Sequence, residues 1–166
     1  MPRKNIRYEK REWYKTATRF FITITTFKRA KYFSDPATVS AVLERFYSAA
    51  TKTGFNIKLA CFMPDHLHAL IVRVDGDTHL SDFVADFKQR TAYEFAKAKH
   101  RKLWQKKYYD RILRDNEPDL DVINYMLENP RAAGLVELSS DYPHFYSQTD
   151  DVKLLLGFDE VAGRDG

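Results

Sequence analysis

The stretch Phe55-Asn-Ile-Lys-Leu-Ala-Cys-Phe-Met-Pro-Asp-His-Leu-His-Ala-Leu-Ile-Val-Arg-Val74 decides the fold. Phe55 to Phe62 reads as a strand, Met63-Pro64-Asp65 as a turn, and His66 to Val74 as a second strand closed by Asp75-Gly76. Together they make a hairpin. Alternate residues of a strand point to the same side, so His66 and His68 stand together, their Cα atoms roughly 6.6 Å apart at the usual rise per residue. Two imidazoles so placed can converge on one divalent ion. A third ligand has to come from elsewhere, and the same spacing also suits two histidines on the solvated face of a hairpin.

Working outward, Asp35-Pro36 is cap-and-first-turn chemistry, and Val39, Val42, Leu43, Phe46, Tyr47 and Ala50 follow at helical spacing until Gly54 ends the pattern. Before that helix, Arg19 to Phe27 alternates Phe20, Ile22 and Ile24 against Thr23 and Thr25, a strand pattern. Beyond the hairpin, a second helix runs from Leu80 to about Lys99 with Phe83, Phe87, Ala92 and Phe95 in its apolar stripe. Tyr108 to Leu113 alternates as a fourth strand. A third helix spans about Glu117 to Asn129, capped by Asn116, with Pro118 and Asp119 in its first turn and Pro130 forcing its end. The order β-α-β-β-α-β-α predicts an α+β fold: a ferredoxin-like, RRM-like antiparallel sheet with helices on one face, plus an additional C-terminal helix. One domain is expected over residues 1–148, with a polar, acidic and poorly ordered tail over 149–166.

Composition bounds the function. The chain has 166 residues, 44% of them hydrophobic, which suits a single core that needs no disulfide or structural metal. Its lone cysteine, Cys61, fits a reducing compartment, and the charged N-terminus lacks the apolar core of a signal peptide, so a cytoplasmic protein is expected. Net charge is +4, but residues 1–31 and 88–114 each hold ten Lys/Arg against two Asp/Glu. Concentrated cations interleaved with Tyr14, Tyr93, Trp104, Tyr108 and Tyr109 suit a polyanion whose bases stack on rings. A solvated basic surface would carry the same composition.

The third helix supplies candidate chemistry. Leu120, Ile123 and Leu127 gather on one side as the expected core face, while Tyr125 and Asn129, one turn apart, project together from the other. Val122 lies near that second side, so a boundary tyrosine is the plainer alternative. A phenol can attack a phosphodiester, but a pKa near 10 makes it a weak nucleophile without help. A divalent ion held by two imidazoles and an amide oxygen could give that help by polarising the phosphate.

At this point the sequence resembles a known family. Phe62-Met-Pro-Asp-His-Leu-His-Ala-Leu-Ile71 is similar to the His-hydrophobic-His signature of HUH nucleases as single-tyrosine transposases carry it. Trp104, Tyr109-Asp-Arg-Ile-Leu-Arg114, Tyr125-Met-Leu-Glu-Asn-Pro-Arg-Ala-Ala-Gly-Leu-Val136 and Asp141-Tyr-Pro143 resemble the subgroup of REP-associated tyrosine transposases. The likeness covers about residues 15–147. It implies that Tyr125 is the nucleophile, joining to the 5′ phosphate of cut single-stranded DNA, and that His66, His68 and Asn129 hold Mg²⁺ or Mn²⁺. It also implies hairpins of repeated extragenic palindromes as the partner, and a monomer. The chain departs from the family at His144-Phe-Tyr-Ser147 and in its acidic tail. Lys88, Arg90, Trp104, Arg111 and Arg114 are the expected DNA contacts, and Tyr108 and Tyr109 are rival nucleophiles. Two other readings compete: a hairpin-binding regulator that does not cut, and a metal-dependent phosphoesterase of small molecules, which would leave the basic segments without a role.

Overall fold

A computed structural model describes residues 17–157; Tyr14 and the end of the acidic tail lie outside the described residues. The strands are β1 (Arg19–Thr25), β2 (Phe55–Met63), β3 (His66–Arg73), β4 (Tyr109–Ile112) and a short, unanticipated β5 (Phe145–Tyr146). The helices are α1 (Pro36–Thr53), α2 (Leu80–Lys99), α3 (Asp119–Ala132) and α4 (Asp150–Leu155). The strands form one sheet in the order β4-β1-β3-β2-β5, with every neighbouring pair antiparallel.

The local chemistry is that read from the sequence for α1. Asp35 accepts from the Ala37 N–H at 3.2 Å and from the Thr38 hydroxyl at 2.7 Å, and Pro36 opens the helix. Gly54 ends it at φ 77°, its carbonyl accepting from Val74 and Asp75. A Cβ there would lie 2.1 Å from the Asp75 carbonyl oxygen, so only glycine closes the base of the hairpin.

Strand alternation then divides the core in two. Phe20, Ile22 and Ile24 of β1 with Leu67, Ala69 and Ile71 of β3 pack against Val39, Val42 and Phe46 of α1 and Phe83 and Phe87 of α2. Phe21, Leu59, Cys61, Met63 and Leu70 point the other way, under Val122, Ile123 and Met126 of α3 and Val152 of α4. The ferredoxin-like layer of two helices on one face is present, and the additional helix covers the opposite face.

Four local expectations are corrected. On α3, Leu120 is exposed and Leu127 only half-buried; the buried set is Val122, Ile123, Met126 and Pro130. Pro130 lies inside α3 rather than ending it, because in the last turn its missing N–H costs one helical bond while its ring gains burial. The N-cap position is Pro118 rather than Asn116. In the expected tail, residues 150–155 form α4, which buries Val152 and brings Asp151 to within 3.3 Å of Lys58.

The pairing of β2 with β3 shifts by one residue between Ile57 and Leu59. This bulge puts Phe55 and Ile57 in the α1/α2 core but Leu59, Cys61 and Met63 under α3, which strict alternation would forbid. Lys58, at the bulge, reaches Asp119 at the start of α3 at 2.6 Å. Asp119 also takes Arg19 at 2.7 Å, so one carboxylate ties α3 to β1 and β2. Burial works to raise its pKa, but the two cations prevail and hold it below the ordinary carboxylate range.

Candidate active site

On the α3 face a row of residues crosses the sheet: register places Cys61 beside His68, His68 beside Thr23, and Thr23 beside Tyr109. His66 lies one alternation away, opposite Thr25 and Met63. The Nε2 atoms of His66 and His68 face each other at 3.0 Å, and their ring planes are inclined at 79°. Each remaining ring nitrogen has its own partner: His66 Nδ1 lies 2.6 Å from Asp65 Oδ1, and His68 Nδ1 lies 2.8 Å from Thr23 Oγ1. Phe21 stacks on His68 with centroids 5.3 Å apart. Tyr125 meets both rings edge-on, 6.2 Å from His68 and 6.1 Å from Phe21.

Burial pulls the His68 pKa down to about 3, with the neighbouring His66 adding to the effect. It is therefore a neutral imidazole near neutral pH, with a lone pair to give. Asp65 is partly buried, which works against its charge, yet His66 and Arg29 hold its carboxyl below the usual range. Arg29 reaches Asp65 at 3.0 Å. Burial pushes the Cys61 thiol well above its ordinary range, which makes it an inert core group.

Tyr125 is 58% exposed on α3, at the mouth of a cleft of about 320 Å³ lined also by Phe21, Tyr109, Arg111, Glu117 and Asp121. Among the described residues its hydroxyl makes no hydrogen bond, and neither does the half-buried Asn129 amide one turn later. The rival tyrosines separate. Tyr109, 59% exposed, shares the cleft; Tyr108 packs against the α1/α2 core, where burial raises its pKa.

The expected DNA contacts scatter. Trp104 is 3% exposed, and its Nε1 donates to Thr91 at 2.8 Å; it is a core residue and offers no stacking face. Lys88 spends two of its three N–H donors on the carbonyls of Gln105 and Lys106, at 2.7 and 3.0 Å, and burial lowers its pKa. Arg90 is paired with Asp86. Arg111 is paired with Glu117, and both line the cleft beside Tyr125. Arg114 is exposed beside a contiguous recess of about 530 Å³ that shares Arg111, Glu117 and Asp121 with the cleft. Sequence reading passed over Phe21, Thr23, Asp65 and Arg29. For the first two the signal was present, since alternation sets Phe21, Thr23 and Thr25 on the face opposite Phe20, Ile22 and Ile24.

The residues present fit a divalent ion. Two nitrogens 3.0 Å apart match adjacent ligands with bonds of about 2.1 Å at roughly a right angle. With Nδ1–H of His66 given to Asp65 and that of His68 to Thr23, both Nε2 lone pairs would face the same point, the usual orientation of metal-bound histidines. No group of three or more His, Cys, Asp or Glu that could hold a metal occurs among the described residues, so the rest of a shell would have to come from other kinds of donor.

Comparison with known proteins gives the family. The family model described as "Transposase IS200 like" matches residues 15–129, more than half of the chain. The chain belongs to the IS200-like transposase family. It is 26% identical over 141 residues to a Haemophilus influenzae protein named as a REP-associated tyrosine transposase, covering 75% of this chain and 77% of that one. Its fold is similar to the solved structure of a REP-associated tyrosine transposase bound to a REP hairpin. The TM-score is 0.70 at 18% identity, over 87% of this chain and 83% of that one. A Deinococcus radiodurans structure named as a transposase matches with TM-score 0.52 at 18% identity, over 78% of this chain and 95% of that one. Among the described residues no helix is long and apolar enough to cross a membrane.

Proposed function

We propose that this IS200-like transposase nicks single-stranded DNA beside a hairpin, using Tyr125 as nucleophile and His66, His68 and Asn129 as ligands of Mg²⁺ or Mn²⁺. The observation that carries the reading is the Tyr125 ring, on an open cleft, 6.2 Å from the ring of His68, whose Nε2 faces that of His66 at 3.0 Å. Hairpin DNA is the substrate class that the REP-associated relatives suggest.

In this reading Tyr125 loses its phenolic proton to solvent at the cleft mouth. Its oxygen bonds to the 5′ phosphate as the bond from phosphorus to the 3′ oxygen breaks, and that oxygen takes up a proton. A bound ion would polarise the phosphate and offset its charge. Phe21 stacks on His68 and meets Tyr125 edge-on, so one ring packs against both the ligand and the nucleophile. Arg111, already bent towards the cleft by Glu117, is placed to meet a neighbouring phosphate.

The test is incubation with hairpin oligonucleotides and Mn²⁺, read on a denaturing gel. Wild type should give a covalent protein-DNA adduct, and Tyr125→Phe should give none while still binding. Tyr109→Phe, in the same cleft, should keep the adduct; its loss there alone would move the nucleophile to β4. His66→Ala and His68→Ala should lose cleavage and Mn²⁺ binding but keep hairpin binding. A wild type that binds hairpins and never forms adduct would favour the non-cutting regulator.

A further inference from the structure

The cations named from the sequence turn out to be largely spoken for, whereas a second set stands together and unpaired. The segment after β1 and the segment after α2 are zipped by backbone bonds: Phe27 N–H to Leu103 at 2.8 Å and Gln105 N–H to Thr25 at 2.9 Å, with Thr26 bridging Trp104. Buried Leu103 and Trp104 plug the second segment into the core, and Lys88 clamps its carbonyls from α2. The zipped pair is fastened next to the site, because Thr26 donates to the Asp65 carbonyl through its N–H at 3.0 Å and its hydroxyl at 2.9 Å.

On this platform Lys28, Lys31, Arg101, Lys102, Lys106 and Lys107 are all exposed. Among the described residues none of the six has a carboxylate within ion-pair distance, although Lys52, Lys58, Arg90, Arg111 and Arg131 elsewhere each have one. Six like charges held on a fixed support repel one another unless a polyanion neutralises them. With Trp104 buried, the aromatic nearest the surface of the junction is Phe27, half-buried, with the Lys102 ammonium 4.7 Å and the Lys28 ammonium 5.5 Å from its ring centre. It supports cations rather than offering a face to bases. The exposed rings beside the histidines, Tyr109 and Tyr125, are in the cleft.

We propose that the zipped basic segments 28–31 and 101–107 hold the duplex stem of a folded DNA strand through its phosphates, while the cleft at Tyr125 takes the unpaired flank. The proposal rests on the nicking reading only for the identity of the strand. A stem carries about one phosphate per 1.7 Å of axis, a density that a compact cationic platform can match without reading sequence.

The experiment measures Kd by fluorescence anisotropy for a hairpin oligonucleotide and for a plain duplex across a salt series. Wild type is set against a fourfold Lys31→Gln, Arg101→Gln, Lys102→Gln and Lys106→Gln variant, in which no changed residue has positive φ. The variant should bind both ligands at least about tenfold more weakly. Its slope of log affinity against log salt should shrink by roughly 3 to 4, near 0.9 for each phosphate no longer neutralised. Arg101→Gln with Lys102→Gln should shrink the slope about half as much, and replaces the fourfold variant if that loses its melting transition. Unchanged Kd and slope in the variant overturn the proposal. A wild type that binds no hairpin overturns both this and the nicking reading. Binding without Mn²⁺-dependent adduct, with the slope still falling in the variant, removes the nicking reading and leaves the platform standing.

Discussion

The two faces of the sheet are built from the same strands and do opposite work. The α1/α2 face is closed and aromatic, with Phe20, Phe33, Phe46, Phe55, Phe62, Phe83 and Phe87 at no more than 1% exposure. The α3 face is filled by groups such as Cys61, Met63, Leu70, Val122 and Met126, and it opens into the cleft that Phe21, Tyr109 and Tyr125 line. Because successive residues of a strand serve opposite faces, β1 and β3 each pack on one side and carry candidate site residues on the other. Leu67 and His68, neighbours in sequence, belong to different tasks. Stability and reactivity are thereby separable by substitution.

The sharpest way to break that separation is a large-to-small change on the closed face. Phe87→Ala, in a ring cluster with Phe46 at 4.8 Å and Trp104 at 5.6 Å, should cost about 3–5 kcal/mol in denaturant unfolding. Adduct yield per folded molecule should hold. Tyr125→Phe should do the reverse, with stability within about 0.5 kcal/mol of wild type, since it removes an exposed hydroxyl. A lower adduct yield from the folded fraction of Phe87→Ala would show that the two faces are coupled after all.

A finer division should exist within the α3 face. Asp65→Ala and Thr23→Val remove the partners that fix the ring orientations of His66 and His68 without touching either imidazole. Each should weaken Mn²⁺ binding by about 10–100-fold in calorimetry, with hairpin affinity unchanged. Wild-type metal affinity in both would show that neither hydrogen bond is needed to orient the ring pair.

The smallest expected effect is at the edge of that face, where Asp119 joins Arg19 and Lys58. Asp119→Asn should cost about 1–3 kcal/mol at neutral pH. Its folded pKa is lowered, so the contribution is fully present above the unfolded value and is lost as pH falls through the folded one. Acid titration of wild type should therefore show a loss below about pH 4 that Asp119→Asn lacks. His68 adds an earlier decline in both proteins: its pKa falls from 6.5 to about 3 on folding, so the unfolded chain takes up the proton first as pH drops below about 6.5. Parallel acid curves for the two proteins below pH 4 would remove Asp119 from the account.

Much of this was legible in the chain itself. The hairpin, the α1 cap and the shared side of His66 and His68 follow from residue type and period, which are local. Tyr125 and Asn129 could be placed on one helix, but Tyr125 could not be placed beside His68, since that depends on where α3 docks. Trp104 misled because Arg101-Lys-Leu-Trp-Gln-Lys-Lys107 reads as a solvated basic run. Only a tertiary bridge to Thr26 shows Leu103-Trp104 to be a two-residue plug. The α3 stripe was misjudged for a related reason: a helix laid over this face buries Val122, Met126 and Pro130, and helical period alone does not choose among adjacent stripes.

The bulge at Lys58 sets a rule of parity for any change in chain length. From Leu59 to Met63 the odd-numbered residues face α3, and before the bulge they face α1 and α2. Removing Lys58 would restore unbroken alternation and leave Phe55 and Ile57 on the α1/α2 side, at the loss of the ammonium that reaches Asp119, whereas removing one residue on either side of the bulge would turn the residues before it to the wrong face. Length variants should therefore be absorbed freely around Asp77-Thr78, where the chain is outside the sheet, but in β2 a single deletion only at the bulge itself.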